Sequence, residues 1–415
     1  MTPTEALQQL DETGDPDRIG LDWERSAAGD RIPAFLTQQQ ITESLAFCGF
    51  GHEYTAALID TARIVTRNPA LLRLARHAAW ALFEGPESRE LLGWPAFSRS
   101  LGDRAGLFWM LIGLGVVPFA RKHHKNLGIP ESFTRDTCRQ VWLYCEGYKS
   151  NYDGVPGIQR IRTNWLRHYV REPIFRIGRL EYWRKPNPIP PHAYRNRRSG
   201  LTVALAWPDV KIDLDGIPIP GEPDGGYWHT TFEETEQGAT GQPIAPFGKV
   251  LHRTITLPSA EWEPVLRPDD DILQVHIPPV DPLNLESVRS SQVEALAFFK
   301  QHFPDSSPRA FVSTSWMFSD LLETWFPESN TVQYLSELYI FPLASDSGLS
   351  FIFPKGFTPE TAARDTRLQR AILDHLAKGK RWRIGGMFLL VDDLKYFGSQ
   401  HYRSAWKLSE FAESR

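Results

Sequence analysis

Apolar positions along this 415-residue chain change their spacing once, at Glu172-Pro173. Before that point they recur every three or four residues, the period of a helix with one buried face. Thr37 and Gln40 have the spacing of a capping box, Ile41, Leu45 and Cys48 follow on one stripe, and Gly49 ends the run. Tyr54, Leu58, Ala62 and Val65 mark a second helix. Asn68-Pro69 stops it and starts a third on Leu71, Leu72, Ala75, Ala79, Leu82 and Phe83. A longer apolar helix from about Arg104, one after Pro130 with Val141, Tyr144 and Tyr148 inward, and one from Ile158 complete a helical domain over 37–170. Residues 1–36, with Gly, Asp and Pro spaced through them, read as a loosely ordered arm.

After the break the period shortens towards two, the mark of half-buried strands. Phe175 to Arg184, Leu201 to Trp207 and Val250 to Leu257 read as strands, with an Asp-Gly hairpin signal between Val210 and Ile217 and a long loop from Pro220 to Gly248. The densest stretch is Ile272 to Phe353. An apolar run, Ile272 to Ile277, is stopped by Pro278-Pro279, and Asn284 can cap a helix starting at Leu285 whose apolar face is Leu285, Val288, Val293, Leu296 and Phe299, with Gln292 pointing away. Arg309 to Val312 is a second buried strand leading into Ser313-Thr314-Ser315-Trp316. A short helix with Leu321 and Trp325 follows, then β-rich runs from Thr331 to Leu343 and Leu349 to Phe353, parted by Ser345-Asp346-Ser347-Gly348. Thr366 caps a further helix, Arg381 to Val391 is a last strand, and the tail at 399–415 places Tyr402 and Trp406 on a common side. The fold class is α+β.

That order, together with His276-Ile277-Pro278, Phe311 to Trp316, Pro327-Glu328-Ser329-Asn330 and Leu368 to Leu376, resembles a bacterial family of two-domain acyltransferases. Its members join a helical N-acyltransferase N-terminal domain to a GNAT-like C-terminal domain, a mixed β-sheet flanked by helices. The resemblance places that second domain at 171–398.

Composition narrows the function. Lys and Arg total 46 against 50 Asp and Glu, a net charge of -4, so no global field draws in nucleic acid. The three cysteines, Cys48, Cys138 and Cys145, have no metal-ligand spacing and read as core thiols. The start of the chain has neither a basic nor an apolar segment, and Leu107 to Val117 is too short to span a bilayer, so a soluble cytoplasmic protein with no membrane partner is expected. No G-x-S-x-G elbow, H-E-x-x-H or phosphate-binding glycine loop is present.

Acyl transfer needs a slot for a thioester, a base for the amine and a proton source for the leaving thiolate. The resemblance implies acyl-CoA or acetyl-CoA as cosubstrate, held between two splayed parallel strands with its pyrophosphate on the following helix start. This puts Ile277, Ser313 and Thr314 at the slot and the backbone of Leu285, Glu286 and Ser287 at the phosphate. His276 and Glu181 are candidate bases and Ser315 a candidate donor or relay, each weighed against a core histidine, a solvated strand face and a helix cap. Tyr334 and Tyr339 are further phenol candidates, Arg195, Arg197 and Arg198 candidate phosphate contacts, and Asp269-Asp270-Asp271 a candidate cation site or a turn. The segment Pro278-Pro279-Val280-Asp281-Pro282 replaces the glycine-rich turn of GNAT enzymes and removes N–H donors there. Two functions follow: transfer of an acyl group to a small-molecule or peptide amine by direct attack, or a non-catalytic ligand- or partner-binding module on the same fold.

Overall fold

The computed structural model describes residues 1–27, 32–221, 225–345, 347–353 and 357–411. They fall into two compact units, one of residues 1–177 with 277–280 and one of residues 178–276 with 281–415.

The first unit is helical, and its order begins earlier than the apolar pattern suggests. Thr2 and Glu5 close a capping box on a helix over Pro3–Gln9, and Trp23 Nε1 donates to the Met1 carbonyl at 2.8 Å. Leu7, Ile19 and Trp23 are buried, so the described part of 1–36 is packed and not a loose arm. Residues 28–31 of that expected arm lie outside the described residues. Thr37 accepts from the Gln40 amide on the Gln38–Cys48 helix, but the Gln40 side chain turns to Ser44 at 3.0 Å and leaves the box half closed. Asn68 caps Pro69–Ala79 through two amides, at 3.0 and 3.1 Å. The helix over Ala105–Leu114 runs through the core, with every residue from Gly106 to Leu114 buried. The span Ser98–Asn126 is apolar and long enough to cross a membrane, yet 78% of its most apolar window is buried within the protein, the position of a core helix. Arg121 to Lys125 form the end of the Val116–Asn126 helix. His124 is fully buried there, bonded to Thr134 Oγ1 at 3.0 Å.

Within the second unit, strands β1 (Leu180–Pro186), β2 (Asp271–His276), β3 (Ala310–Ser315), β4 (Tyr339–Leu343) and β5 (Ile384–Leu390) form one mixed sheet in the order β1-β2-β3-β5-β4. Only β2 and β3 run parallel; the other neighbours are antiparallel. The helix Leu285–His302 carries the chain from β2 to β3, as parallel strands require. Asn284 caps it, accepting from Ser287 N at 2.8 Å. Its buried stripe is Val288, Ser291, Gln292, Ala295, Phe298 and Phe299, while Val293 is 47% exposed, so Gln292 and Val293 exchange the places expected of them. Gly386 lies opposite Phe341 and Thr314, and a Cβ there would meet the Phe341 ring at 2.1 Å. Glycine lets that ring lie flat over the strand.

A second, antiparallel sheet contains His192–Asn196, Thr202–Leu205, Pro243–Ala245, Lys249–Val250 and Trp262–Leu266. Tyr339 ties the two sheets together: its hydroxyl donates to the Ile244 carbonyl at 2.5 Å and accepts from Ala204 N at 3.0 Å.

Three expectations are corrected here. The Pro220–Gly248 stretch holds strands at Tyr227–His229, Phe232–Thr235 and Gly238–Gly241, too short to show an alternation against their Gly, Thr and Glu content. Thr331 to Leu343 is not one strand, because Ser329 accepts from Val332 N at 3.2 Å and caps a helix over Asn330–Ser336. Leu349–Phe351 is a 3-10 turn, and Asp346 of the expected turn lies outside the described residues.

Candidate active site

The central feature is a gap in a sheet that is otherwise continuous. The parallel ladder between β2 and β3 pairs Ile272 with Ala310, Leu273 with Phe311 and Gln274 with Val312, and stops. Each strand goes on pairing with its outer neighbour: β2 reaches His276 opposite Glu181 on β1, and β3 reaches Ser315 opposite Gly385 on β5. Two strands held on their outer sides and released from each other leave the inner edges of Val275-His276 and Ser313-Thr314 facing a gap. Backbone N–H and C=O groups along such edges seek partners, and an extended polar arm can supply them.

Strand parity sorts the predicted residues onto the two faces of the sheet. Glu181, Trp183, Gln274, His276 and Thr314 share one face, by the registers of β1, β2 and β3. Directly opposed residues in an antiparallel pair bring their side chains within contact reach, so Glu181 and His276 are neighbours. Glu181 is only 2% exposed, which replaces the expectation of a solvated strand face with a buried carboxylate beside an imidazole. The Trp183 ring lies 6.4 Å from that of His276, and the Lys185 ammonium sits 4.4 Å above the Trp183 ring. Thr314 is exposed at the rim.

Ser313 and Ser315 turn to the other face, the one covered by the Leu285–His302 helix. Ser315 accepts from Met317 N at 3.2 Å and caps the turn at Trp316–Phe318, so it is a structural cap and is removed from the catalytic set. On this face Tyr182 and Phe311 rings meet at 5.8 Å, and the Tyr182 hydroxyl bonds Ser291 Oγ at 2.8 Å. Tyr334 is fully buried, and its hydroxyl has no hydrogen-bond partner among the described residues. Burial pushes the Tyr334 phenol well above its ordinary value, so it stays protonated at neutral pH.

The remaining candidates separate. Ile277 follows β2 and belongs to the first unit. At the helix start, the Ser287 amide is already taken by Asn284 Oδ1, which leaves Leu285 and Glu286 as the amides a phosphate could meet. Tyr339 is engaged between the sheets, as described above. Arg195 pairs with Asp393 at 2.5 Å and Arg197 with Glu263 at 2.5 Å, so neither is held ready for a phosphate. Asp271 accepts from Arg184 Nε at 3.1 Å and from Ser306 Oγ and Ser307 N at 2.9 Å, and Asp270 accepts from Arg267 N at 2.8 Å. These carboxylates anchor a turn. Sequence reading missed Gln274 and Gln292, since glutamines on a strand or helix carry no chemical signature; what marks them is that Gln274 Oε1 and both amide atoms of Gln292 are buried without a hydrogen-bond partner among the described residues.

A helical unit followed by a mixed sheet with one splayed parallel pair defines a two-domain protein of acyltransferase architecture. The N-acyltransferase N-terminal domain matches residues 39–171 and the GNAT-like C-terminal domain matches residues 174–389, and the chain belongs to this two-domain acyltransferase family. Among solved structures, a mutant acyltransferase in complex with octanoyl-CoA is similar with a TM-score of 0.62 at 20% identity, covering 94% of this chain and 99% of that one. An acyltransferase in complex with decanoyl-CoA and teicoplanin gives the same TM-score and identity, covering 94% of this chain and 100% of that one. At this identity the likeness is one of fold. No curated protein matches the chain.

Proposed function

We propose that the protein transfers an acyl group from an acyl-CoA to the amine of a small molecule or peptide by direct attack. The observation that carries this reading is the parallel ladder that ends at Gln274 and Val312 while both outer ladders continue. The acyl-CoA ligands of the similar structures support a donor of eight to ten carbons, and the teicoplanin complex supports an amine-bearing acceptor of peptide character.

In this reading the face that carries Glu181 and His276 moves the proton. His276 takes the proton that the amine sheds as its nitrogen bonds to the thioester carbon, and Glu181, buried opposite, steadies the resulting imidazolium. When the carbon–sulfur bond breaks, the His276 imidazolium gives that proton to the departing thiolate, so one proton passes from nitrogen to sulfur and the ring returns to its neutral form. Edge amides of the splayed strands would hold the thioester carbonyl as charge gathers on its oxygen.

The test is turnover of octanoyl-CoA with a panel of primary amines, read as free thiol released and acylated amine formed. Amine-dependent release with stoichiometric amide supports the proposal. Thiol release at the same rate with and without amine means hydrolysis, and no release with any donor contradicts it.

A further inference from the structure

Gln292 is an anomaly in its own helix. It is 0% exposed, and among the described residues neither its Oε1 nor its Nε2 has a hydrogen-bond partner. Val288, Ala295 and Phe299, which share its stripe, are also 0% exposed and apolar, so Gln292 is the single polar group on the most deeply buried line of the helix. A primary amide in that setting costs about 1–3 kcal/mol for each unmet hydrogen bond, and leucine would avoid the cost. Something other than folding therefore accounts for a glutamine here.

Its place along the sheet is fixed by the residue beside it. Ser291 Oγ accepts from Leu180 N at 3.2 Å and bonds the Tyr182 hydroxyl at 2.8 Å. Tyr182 pairs with Val275, and Leu180 directly precedes Glu181, the partner of His276. Ser291 thus lies level with Val275 and His276, where the β2–β3 ladder has already ended. Gln292 is about 100° further round the helix, away from Ser291 and its β1 contacts. The geometry points to Gln292 as a specificity residue for the donor: its amide forms paired hydrogen bonds with a secondary amide in the arm of a thioester lying in the strand gap. An amide offers one donor and one acceptor, which matches the two unmet atoms of Gln292, whereas an alkyl thioester offers neither. This inference rests on the acyl-CoA reading and adds what recognises the arm as distinct from the acyl chain.

The experiment compares octanoyl-CoA with S-ethyl thiooctanoate, which carries the same acyl group and no amide, in wild type, Gln292→Leu and Gln292→Met. We expect KM for octanoyl-CoA to rise about tenfold in both variants, the worth of one to two hydrogen bonds. Their kcat should hold within about twofold, their kcat/KM for the ethyl thioester should not change, and their Tm should equal or exceed that of wild type. An unchanged KM for octanoyl-CoA overturns the inference, as does an equal loss with both donors. A lower Tm or failure to fold in both variants also overturns it, since the amide is then an architectural group satisfied by buried water. If wild type turns over octanoyl-CoA while these results fail, only this inference falls. If wild type accepts no CoA thioester, the acyl-CoA reading falls and this one with it.

Discussion

The two units differ in how particular buried polar side chains are partnered. In the helical unit His77 is 1% exposed and fully engaged: Nδ1 meets Ser26 Oγ at 2.6 Å and Nε2 the Ile19 carbonyl at 2.7 Å. His124, also buried, holds Thr134 from a neighbouring helix. These groups pin segments to one another, and burial drives both rings towards the neutral form, His77 to about 4 and His124 to about 3. Among the described residues, buried polar atoms without a hydrogen-bond partner occur in both units, His124 Nε2 and Asn164 Nδ2 among them in the first. Gln274 Oε1, both amide atoms of Gln292 and the Tyr334 hydroxyl are buried without a hydrogen-bond partner among the described residues. A fully partnered buried group such as His77 reports architecture; an unpartnered one on an apolar stripe, such as Gln292, calls for an explanation of its own. The helical unit also carries an open groove of about 670 Å³ lined by Pro118, Arg121, Lys122 and Lys125. Its cations sit on a solvated rim, where Arg121 pairs with Glu131, so volume alone is a poorer guide to chemistry than unmet hydrogen bonds.

The largest effect expected from this contrast is at His276. Substitution His276→Ala should lower kcat about 100-fold or more, the usual worth of a general base, with little change in Tm. Equal losses of activity and stability would make it a core histidine.

Next comes the pH response of the helical unit. Folding depresses His77 and His124 below the ordinary value of 6.5, so the unfolded chain binds protons first as pH falls. Their contribution is full above pH 6.5 and is lost as pH drops towards 4 and then 3, on the order of 3 kcal/mol each. Calorimetric melts from pH 7 to pH 4 should show the helical unit losing stability steeply. A flat profile would mean that neither ring is buried neutral.

Tyr339→Phe should be smaller and purely structural. It leaves the Ile244 carbonyl and the Ala204 amide without their shared partner and should cost about 2 kcal/mol in chemical denaturation while leaving KM and kcat unchanged. A change in KM would move Tyr339 from architecture to the site.

Smallest is Asn284→Ala. Losing the cap should cost about 1 kcal/mol of stability, and it frees the Ser287 amide. If the helix start holds a pyrophosphate, affinity for CoA should not fall. A large loss of affinity would show that the Asn284 side chain itself contacts the ligand.

The strand, helix, strand order around the gap was legible because Ile272 to His276 and Ala310 to Val312 are apolar runs and Asn284 is a strong cap. Strand parity was readable too, and it separates Thr314 from Ser313 and Ser315, but only once the register to β2 is known does it say which of them faces His276. Register is a long-range property and leaves no local trace in the sequence. The inward position of Gln292 was not legible, because hydrophobic periodicity assigns glutamine to solvent; Val293, one residue on, is exposed in its stead. Nor was the helix at Asn330–Ser336, where Thr331, Val332 and Tyr334 favour strands and Ser329 decides the outcome by capping. The Pro3–Gln9 helix was signalled by Thr2 and Glu5, a box hidden by the turn-forming residues around it.

The most direct measurement is titration calorimetry of octanoyl-CoA into the wild-type chain, paired with a thermal melt at saturating ligand. The account predicts one saturable site and a melt stabilised by about 2.7 kcal/mol at a hundredfold excess over Kd. It also predicts a heat capacity change that grows more negative from acetyl-CoA to decanoyl-CoA as more chain is buried. Absence of heat and of any shift in the melt with every thioester from acetyl to decanoyl would contradict it.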